Sequence, residues 1–236
     1  GEISDKREYN GKINIKNDKI IINRLDYIKY ISSQNNNVYP ITFATIDGTL
    51  KRNKNIIEPQ ELNIKTNKNL SAKVLNIFLK KPMLQQGTFS CNLKYIFDEK
   101  TKQAKIKGNM DCRNIDIPLF DTLVKNIRLK ADGNNININL FGFINDSKIF
   151  IESILENNIY DKIKVHSLRI TADQIDNDKL LRSLSNARQA MNTNNEINNI
   201  DLSGINVEKG FLDIKKLIIK SLVAENFTGD FNIDKE

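Results

Sequence analysis

The side chains that carry most enzyme chemistry are scarce in this chain. It holds one histidine, His166, and two cysteines, Cys91 and Cys112. The usual zinc spacings need a second His or a paired Cys close by, and neither is present. His166 sits in Ile163-Lys-Val-His-Ser-Leu168, an alternating run that places it on a strand face. Asp132-Gly-Asn134 and the carboxylates from Asp173 to Asp178 superficially suit calcium. The EF-hand spacing fails in both, and turn or cap chemistry accounts for them. There is no phosphate-binding loop, no dinucleotide fingerprint and no Gly-x-Ser-x-Gly elbow. The expectation is a protein with no catalytic residues, no metal and no cofactor, whose function lies in a surface.

That surface is built from strands of one type. A short unit recurs: glycine, any residue, an apolar residue, Asn or Asp, an apolar residue, a charge. Gly210–Lys215 and Gly229–Asp234 are two copies, and Gly11–Lys16 and Gly108–Arg113 are two more. Gly87–Asn92 is looser, and Gly48-Thr-Leu-Lys51 fits in part. Apolar residues two apart share one strand face, with the polar residue between them on the other. The leading glycines suit a turn, a bulge or a bend. The intervals are irregular, which argues against a fixed-period solenoid. Cys91 and Cys112 both occupy the fifth position of the unit. A hairpin of Phe89–Phe97 and Ala104–Cys112, turning at Asp98–Thr101, would set Cys91 opposite about Gly108. The two thiols are then expected to be free and buried on one face.

The chain in order reads as a run of strands. Gly11–Lys16 and Lys19–Ile22 meet at Asn17-Asp18, and Leu25–Ile31 continues the second strand. Ser32–Asn37 reads as loop. Ile41–Ile46 is a strand, followed by a hairpin-type turn at Asp47-Gly48. Glu61–Thr66 and Ala72–Leu79 follow. A short helix is expected from about Pro118. Ile127–Ala131 and Asn135–Phe143 flank a turn at Asp132-Gly133, and Lys148–Ile154 and Ile163–Thr171 are further strands. Asn135-Ile-Asn-Ile-Asn-Leu140 alternates most cleanly, the pattern of an antiparallel strand with one wet face.

The period then changes. Ile175–Met191 reads as a helix capped by Asp173 or Asp176, with Leu180, Leu184, Ala187 and Met191 at helical spacing and Leu181 widening the stripe. Lys179, Arg182 and Arg188 lie off that stripe and are candidates for headgroup or membrane contact. The competing reading is a helix packed on the sheet. Asn192–Asn199 is a polar linker to a last sheet segment starting at Ile200.

Composition bounds the partners. With 236 residues the chain can bury a real core, and 39% hydrophobic residues suffice for one. It reads as a single strand-rich region over 1–236, with a possible division into 1–98 and 99–236. Net charge is +7, which favours anionic partners such as phospholipid headgroups or nucleic acid. Acidic residues are interspersed among the basic ones, so a mixed solvated face is expected. Nucleic acid ranks last as a partner, because aromatics are not interleaved with the basic residues. No apolar run approaches the roughly 18 residues that span a bilayer. The opening Gly1-Glu-Ile-Ser-Asp5 reads as an arbitrary start, as in a soluble portion of a longer protein.

Ile200-Asp-Leu-Ser-Gly-Ile-Asn-Val-Glu-Lys-Gly-Phe-Leu-Asp-Ile214, with Leu217-Ile-Ile-Lys-Ser221 and Thr228-Gly-Asp-Phe-Asn-Ile233, resembles the C-terminal region of AsmA-like bacterial envelope proteins. Gly108–Leu181 is similar to their strand-rich body, and Ile170-Thr-Ala-Asp-Gln-Ile-Asp-Asn-Asp-Lys-Leu-Leu181 to their strand-to-helix passage. Together these cover about half of the chain. The resemblance implies a mainly β fold. That fold is an extended curved antiparallel sheet or a groove-like sandwich with one or two amphipathic helices, with α+β as the alternative. It also implies a periplasmic position, anchored to the inner membrane by a segment outside this chain, and an apolar face that holds acyl chains of phospholipid.

The candidates for that face are Ile136, Ile138, Leu140, Leu212, Ile214, Phe227 and Phe231. The function expected is lipid handling or transport and outer-membrane homeostasis, without enzyme activity. The alternative is a structural or adaptor domain whose sheet binds another envelope protein, with no lipid.

Overall fold

The computed structural model describes residues 3–32, 38–53, 56–73, 84–101, 103–117, 122–158, 163–182 and 205–234. The strands are β1 (Ile3–Lys16), β2 (Lys19–Ser32), β3 (Val38–Asn53), β4 (Ile56–Thr66), β5 (Leu70–Ser71), β6 (Gln86–Asp98) and β7 (Gln103–Ile117). They continue as β8 (Thr122–Asp132), β9 (Asn135–Ile144), β10 (Ser147–Glu156), β11 (Ile163–Asp176), β12 (Ile205–Ile219) and β13 (Leu222–Ile233). One short helix, α1, covers 177–182. All 13 strands belong to one curved, open sheet in chain order, with β5 pairing β6 beside the main path. The protein is therefore mainly β, and among the described residues no second sheet lies over the first.

Every pairing is antiparallel except β11 with β12, which is parallel. Parallel neighbours need a crossover rather than a tight turn, and residues 177–204 separate the two strands in sequence. The tight turns fall where local chemistry allows them. Asn17 (φ 55°) starts the β1–β2 turn, Gly133 (φ 58°) the β8–β9 turn, and Asn145 and Asp146 (φ 48° and 63°) form the β9–β10 turn. Asn, Asp and Gly tolerate this left-handed region better than other residues.

Asp47-Gly48 is not a turn. It lies inside β3, where Gly48 pairs with Ile22 on one side and Leu62 on the other. Gly48 has φ 147°, and a Cβ there would lie 2.0 Å from the carbonyl oxygen of Glu61. Gly108, in the middle of β7, is similar: φ 114°, with a Cβ 1.9 Å from the Asn92 oxygen. Glycine serves close backbone approach at both positions.

The β6–β7 hairpin forms, with a register different from the one expected. Its ladder closes with Asp98 opposite Gln103, which sets Cys91 opposite Met110 and Cys112 opposite Phe89. Gly108 faces Leu93 instead. The two thiols are diagonal neighbours on one face, both buried and free.

The helix expected over 175–191 starts later, because Ile175 and Asp176 finish β11 in register with Leu217 and Ile218. Asp176 caps α1 by accepting a bond from the Lys179 amide at 3.0 Å. Residues 183–191 of that helix, Arg188 among them, lie outside the described residues. So do the core of the helix expected at Pro118, residues 74–79 of the strand expected over Ala72–Leu79, and the linker Asn192–Asn199. The last sheet segment begins at Ile205, and residues 183–204 before it are likewise outside.

A candidate apolar face

Side chains of directly paired residues project on the same side of a sheet, so registers define its faces. One ladder row can be followed across twelve strands. It runs Gly11, Leu25, Ile46, Ile64, Leu93 and Gly108 through β1 to β7. It continues Ala131, Ile136, Leu155, Val165, Val207 and Ile233 through β8 to β13. Every member is apolar or glycine, although the strands differ in sequence and length. The next row on this face reads Cys91, Met110, Leu129, Ile138, then Ser153, Leu168, Gly210 and Phe231.

The seven residues expected on an apolar face do share one face. Ile136 is in the first row, and Ile138 and Phe231 are in the second. Leu140 and Leu212 share a third row through Ile151 and Ile170. Ile214 and Phe227 are directly opposite each other in a fourth. Their surroundings differ. Ile136 and Ile214 are 4% and 2% exposed, whereas Phe227 is 36% exposed on the edge strand. The Phe231 ring lies over Gly210, where an added Cβ would meet it at 2.3 Å. Phe231 therefore covers a glycine of β12 as well as bordering the face.

Curvature explains how a single layer buries these groups. Ala104 is 0% exposed and Cys112 2%, with no second sheet over them among the described residues. Side chains crowd together on the inside of a bend and spread on the outside, so the burial along this face suits the inside of the curve. Its tightest cluster spans β3 to β8 and includes Phe43, Phe89, Cys112, Ile115 and Val124. Burial pushes the Cys91 thiol up. It pushes Cys112 to about 11, with help from Asp111 and Cys91 nearby. At both sheet edges the face opens: Tyr9, Ile13 and Ile15 on β1 and Val223 and Phe227 on β13 are exposed.

The other face is mixed: cross-strand ion pairs tie it, beside a partly exposed apolar patch of Phe141, Phe143, Phe150 and Ile154. Lys94 bonds Glu61 at 2.5 Å, and Asp111 takes both Arg113 and Arg128. Lys215 meets Asp173 at 2.6 Å, a contact that holds the Asp173 carboxyl low. His166 is on this face, as expected, with Nδ1 2.8 Å from Glu208. Glu208 also takes Lys164 at 2.9 Å, and these two partners, Lys164 first, pull its carboxyl down to about 2. The arrangement joins the parallel strands β11 and β12. Among the described residues no cluster of three His, Cys, Asp or Glu is arranged to hold a metal ion.

Of the basic candidates, Lys179 and Arg182 are exposed on α1. Leu180 turns inward and, with Ile144, Ile149 and Ala172, lines a cavity of about 80 Å3 between α1 and the apolar face. Lys179 is at the mouth of that cavity. The described turn of the helix thus packs on the sheet, while Leu181 points outward at 55% exposure. No described helix is long and apolar enough to cross a membrane.

The candidate list omitted the N-terminal half of the face: Tyr9, Leu25, Ile46, Ile64 and Leu93 belong to it as fully as Ile136 does. Alternation within β1 to β6 was the available signal. It is obscured by bulges, as between Ile22 and Leu25 and at Phe43, which reset the parity. No protein family, no curated protein and no solved structure matches the chain.

Proposed function

We propose that the chain holds acyl chains of phospholipid on its apolar face, as a non-enzymatic envelope protein of AsmA-like type. The observation that carries this reading is the unbroken apolar row from Gly11 to Ile233. Core packing alone does not require twelve strands to keep one uninterrupted apolar row in a sheet over which, among the described residues, no second sheet lies. Eleven inter-strand steps of about 4.8 Å give a track of roughly 50 Å. That exceeds the roughly 30 Å hydrocarbon thickness of a bilayer. An acyl chain covering several hundred Å2 gains about 5 to 10 kcal/mol before binding costs. In this reading the protein works on the periplasmic side, anchored to the inner membrane by a segment outside this chain, and serves outer-membrane homeostasis through lipid transport. Lys179 and Arg182 then meet headgroups beside the mouth at α1.

The test is native mass spectrometry of the gently purified protein, with lipid extraction of the same sample. Phospholipid should co-purify, and Ile138→Asp, in the row beside the middle of the track, should remove it from a variant that still folds. Lipid-free, monodisperse wild-type protein would overturn the reading.

One observation favours a second reading. The exposed apolar groups on β1 and β13 accompany open strand edges, which suits an adaptor that binds another envelope protein by strand addition. In that case charged substitutions at Tyr9 or Val223 abolish partner binding, and Ile138→Asp does not.

A further inference from the structure

The β8–β9 hairpin is shorter than its neighbours. It turns at Gly133-Asn134, while β7 begins at Gln103 and β11 at Ile163. The strand ends therefore enclose a notch. Asn157 spans it, with Nδ2 donating to the carbonyl oxygens of Ile106 and Gly133 and Oδ1 accepting from the Ile106 amide. What remains is a polar pocket of about 330 Å3 lined by Gln103, Lys105, Asn134, Glu156, Asn158 and His166.

From this pocket we infer a binding site for a zwitterionic phosphodiester-amine headgroup of the phosphoethanolamine type. The pocket presents one cation, one anion and several amides. Lys105 and the Gln103 amide can donate to a phosphate. Glu156 can accept from an ammonium group; Asn158 also lines the pocket, and its buried Oδ1 has no hydrogen-bond partner among the described residues. Among the described residues the ammonium of Lys105 makes a long contact of 3.4 Å, to Asn134 Oδ1. Nearby, Lys164 and His166 both bind Glu208, and Lys164 also lies within electrostatic reach of Glu156. A purely anionic ligand would leave Glu156 facing a like charge, so the pocket selects a ligand carrying both signs.

The position fits a lipid source. Lys105 lies between the apolar-face residues Ala104 and Ile106, Glu156 follows Leu155 and His166 follows Val165. Lys105, Glu156 and His166 therefore point to the face opposite the apolar row, and the pocket and the row meet only around the strand ends at the rim, where a headgroup must turn over the edge of the sheet to reach the pocket. The inference deepens the acyl-chain reading and rests on it for the lipid source, whereas the pocket itself would equally take the soluble headgroup.

The experiment uses the whole chain and two soluble probes, glycerophosphoethanolamine and glycerol 3-phosphate, titrated by calorimetry. The zwitterion should bind roughly tenfold or more tightly than glycerol 3-phosphate, as expected for a charge-assisted contact. Lys105→Gln should weaken both probes about tenfold, and Glu156→Gln should erase the preference between them. Both side chains are half-buried at the rim, and an unchanged melting temperature serves as the folding control. Absence of saturable binding by either probe, or binding indifferent to both substitutions, overturns the site. Ile138→Asp separates the two readings. Lost lipid with retained probe binding supports both. Probe binding to a protein that never carries lipid leaves the pocket standing with a soluble ligand and removes the acyl-chain reading.

Discussion

Asn157 forms a paired amide contact with the backbone of Ile106, 51 residues away in sequence, accepting from its N–H at 2.8 Å and donating to its C=O at 2.6 Å. The side chain thus performs for β7 what a strand residue would do. It stands where the β8–β9 hairpin has already turned back, and its own amide bonds Asn134 at 2.7 Å. At 1% exposure it is also the buried polar residue among the described core.

Asn157→Ala should therefore destabilise the fold by about 2–4 kcal/mol, because it strands two buried backbone groups of Ile106. Asn157→Asp should be no better, since a carboxylate cannot donate to the Ile106 and Gly133 oxygens. Urea unfolding of the three proteins measures this, and a loss under about 0.5 kcal/mol would show that water replaces the contact.

Gly108→Ala should cost more than about 2 kcal/mol or locally unpair β6 from β7, since its Cβ has no room beside the Asn92 oxygen. Gly133→Ala is the contrast. Its φ of 58° is left-handed but nothing lies within 4 Å of the added carbon, so the loss should be about 1–2 kcal/mol. Equal losses at the two sites would mean that conformation, not crowding, sets the cost. Chemical denaturation distinguishes them.

The Glu208 carboxyl is depressed to about 2 in the folded chain, against about 4.3 when unfolded. A depressed acid stabilises above its unfolded value and loses that contribution as pH falls toward its folded one. Wild type should exceed Glu208→Gln in stability above about pH 4.5, and the gap should close progressively toward about pH 2. The gap should be small and shrink in high salt, because the group is exposed. A gap independent of pH would assign the effect to something other than the Lys164 and His166 contacts.

Cys112, held near 11, should be inert to thiol reagents at pH 8, where roughly a thousandth of it is thiolate even before access is counted. Cys91 should behave similarly, and both should react together on unfolding. Rapid labelling of Cys112 in the folded protein would show that the apolar face opens around Phe89 and Ile127.

By itself the amino-acid sequence determined the strand type and most of its local punctuation. Alternation in Asn135–Leu140 needs only the two-residue period of a strand, and Asn17-Asp18 and Gly133 mark turns because few other residues tolerate their backbone angles. It also indicated which faces are apolar, so Ile136, Ile138 and Leu140 could be grouped with Leu212, Ile214, Phe227 and Phe231 before any register was known. The same local logic misread Gly48, because a glycine needed for close approach inside a strand looks like a glycine needed for a turn. It also misplaced Cys91 by two residues, since the register depends on where the Asp98–Gln103 closure falls.

Only the tertiary structure decided that the twelve-residue row is continuous, that the sheet curls without closing and that β11 and β12 run parallel. These follow from pairings between residues far apart in the chain, through bulges that shift parity from strand to strand. The contact between Asn157 and Ile106 has the same origin. Nothing in the residues around either one announces it, because the notch that Asn157 fills exists only once one hairpin proves shorter than its neighbours.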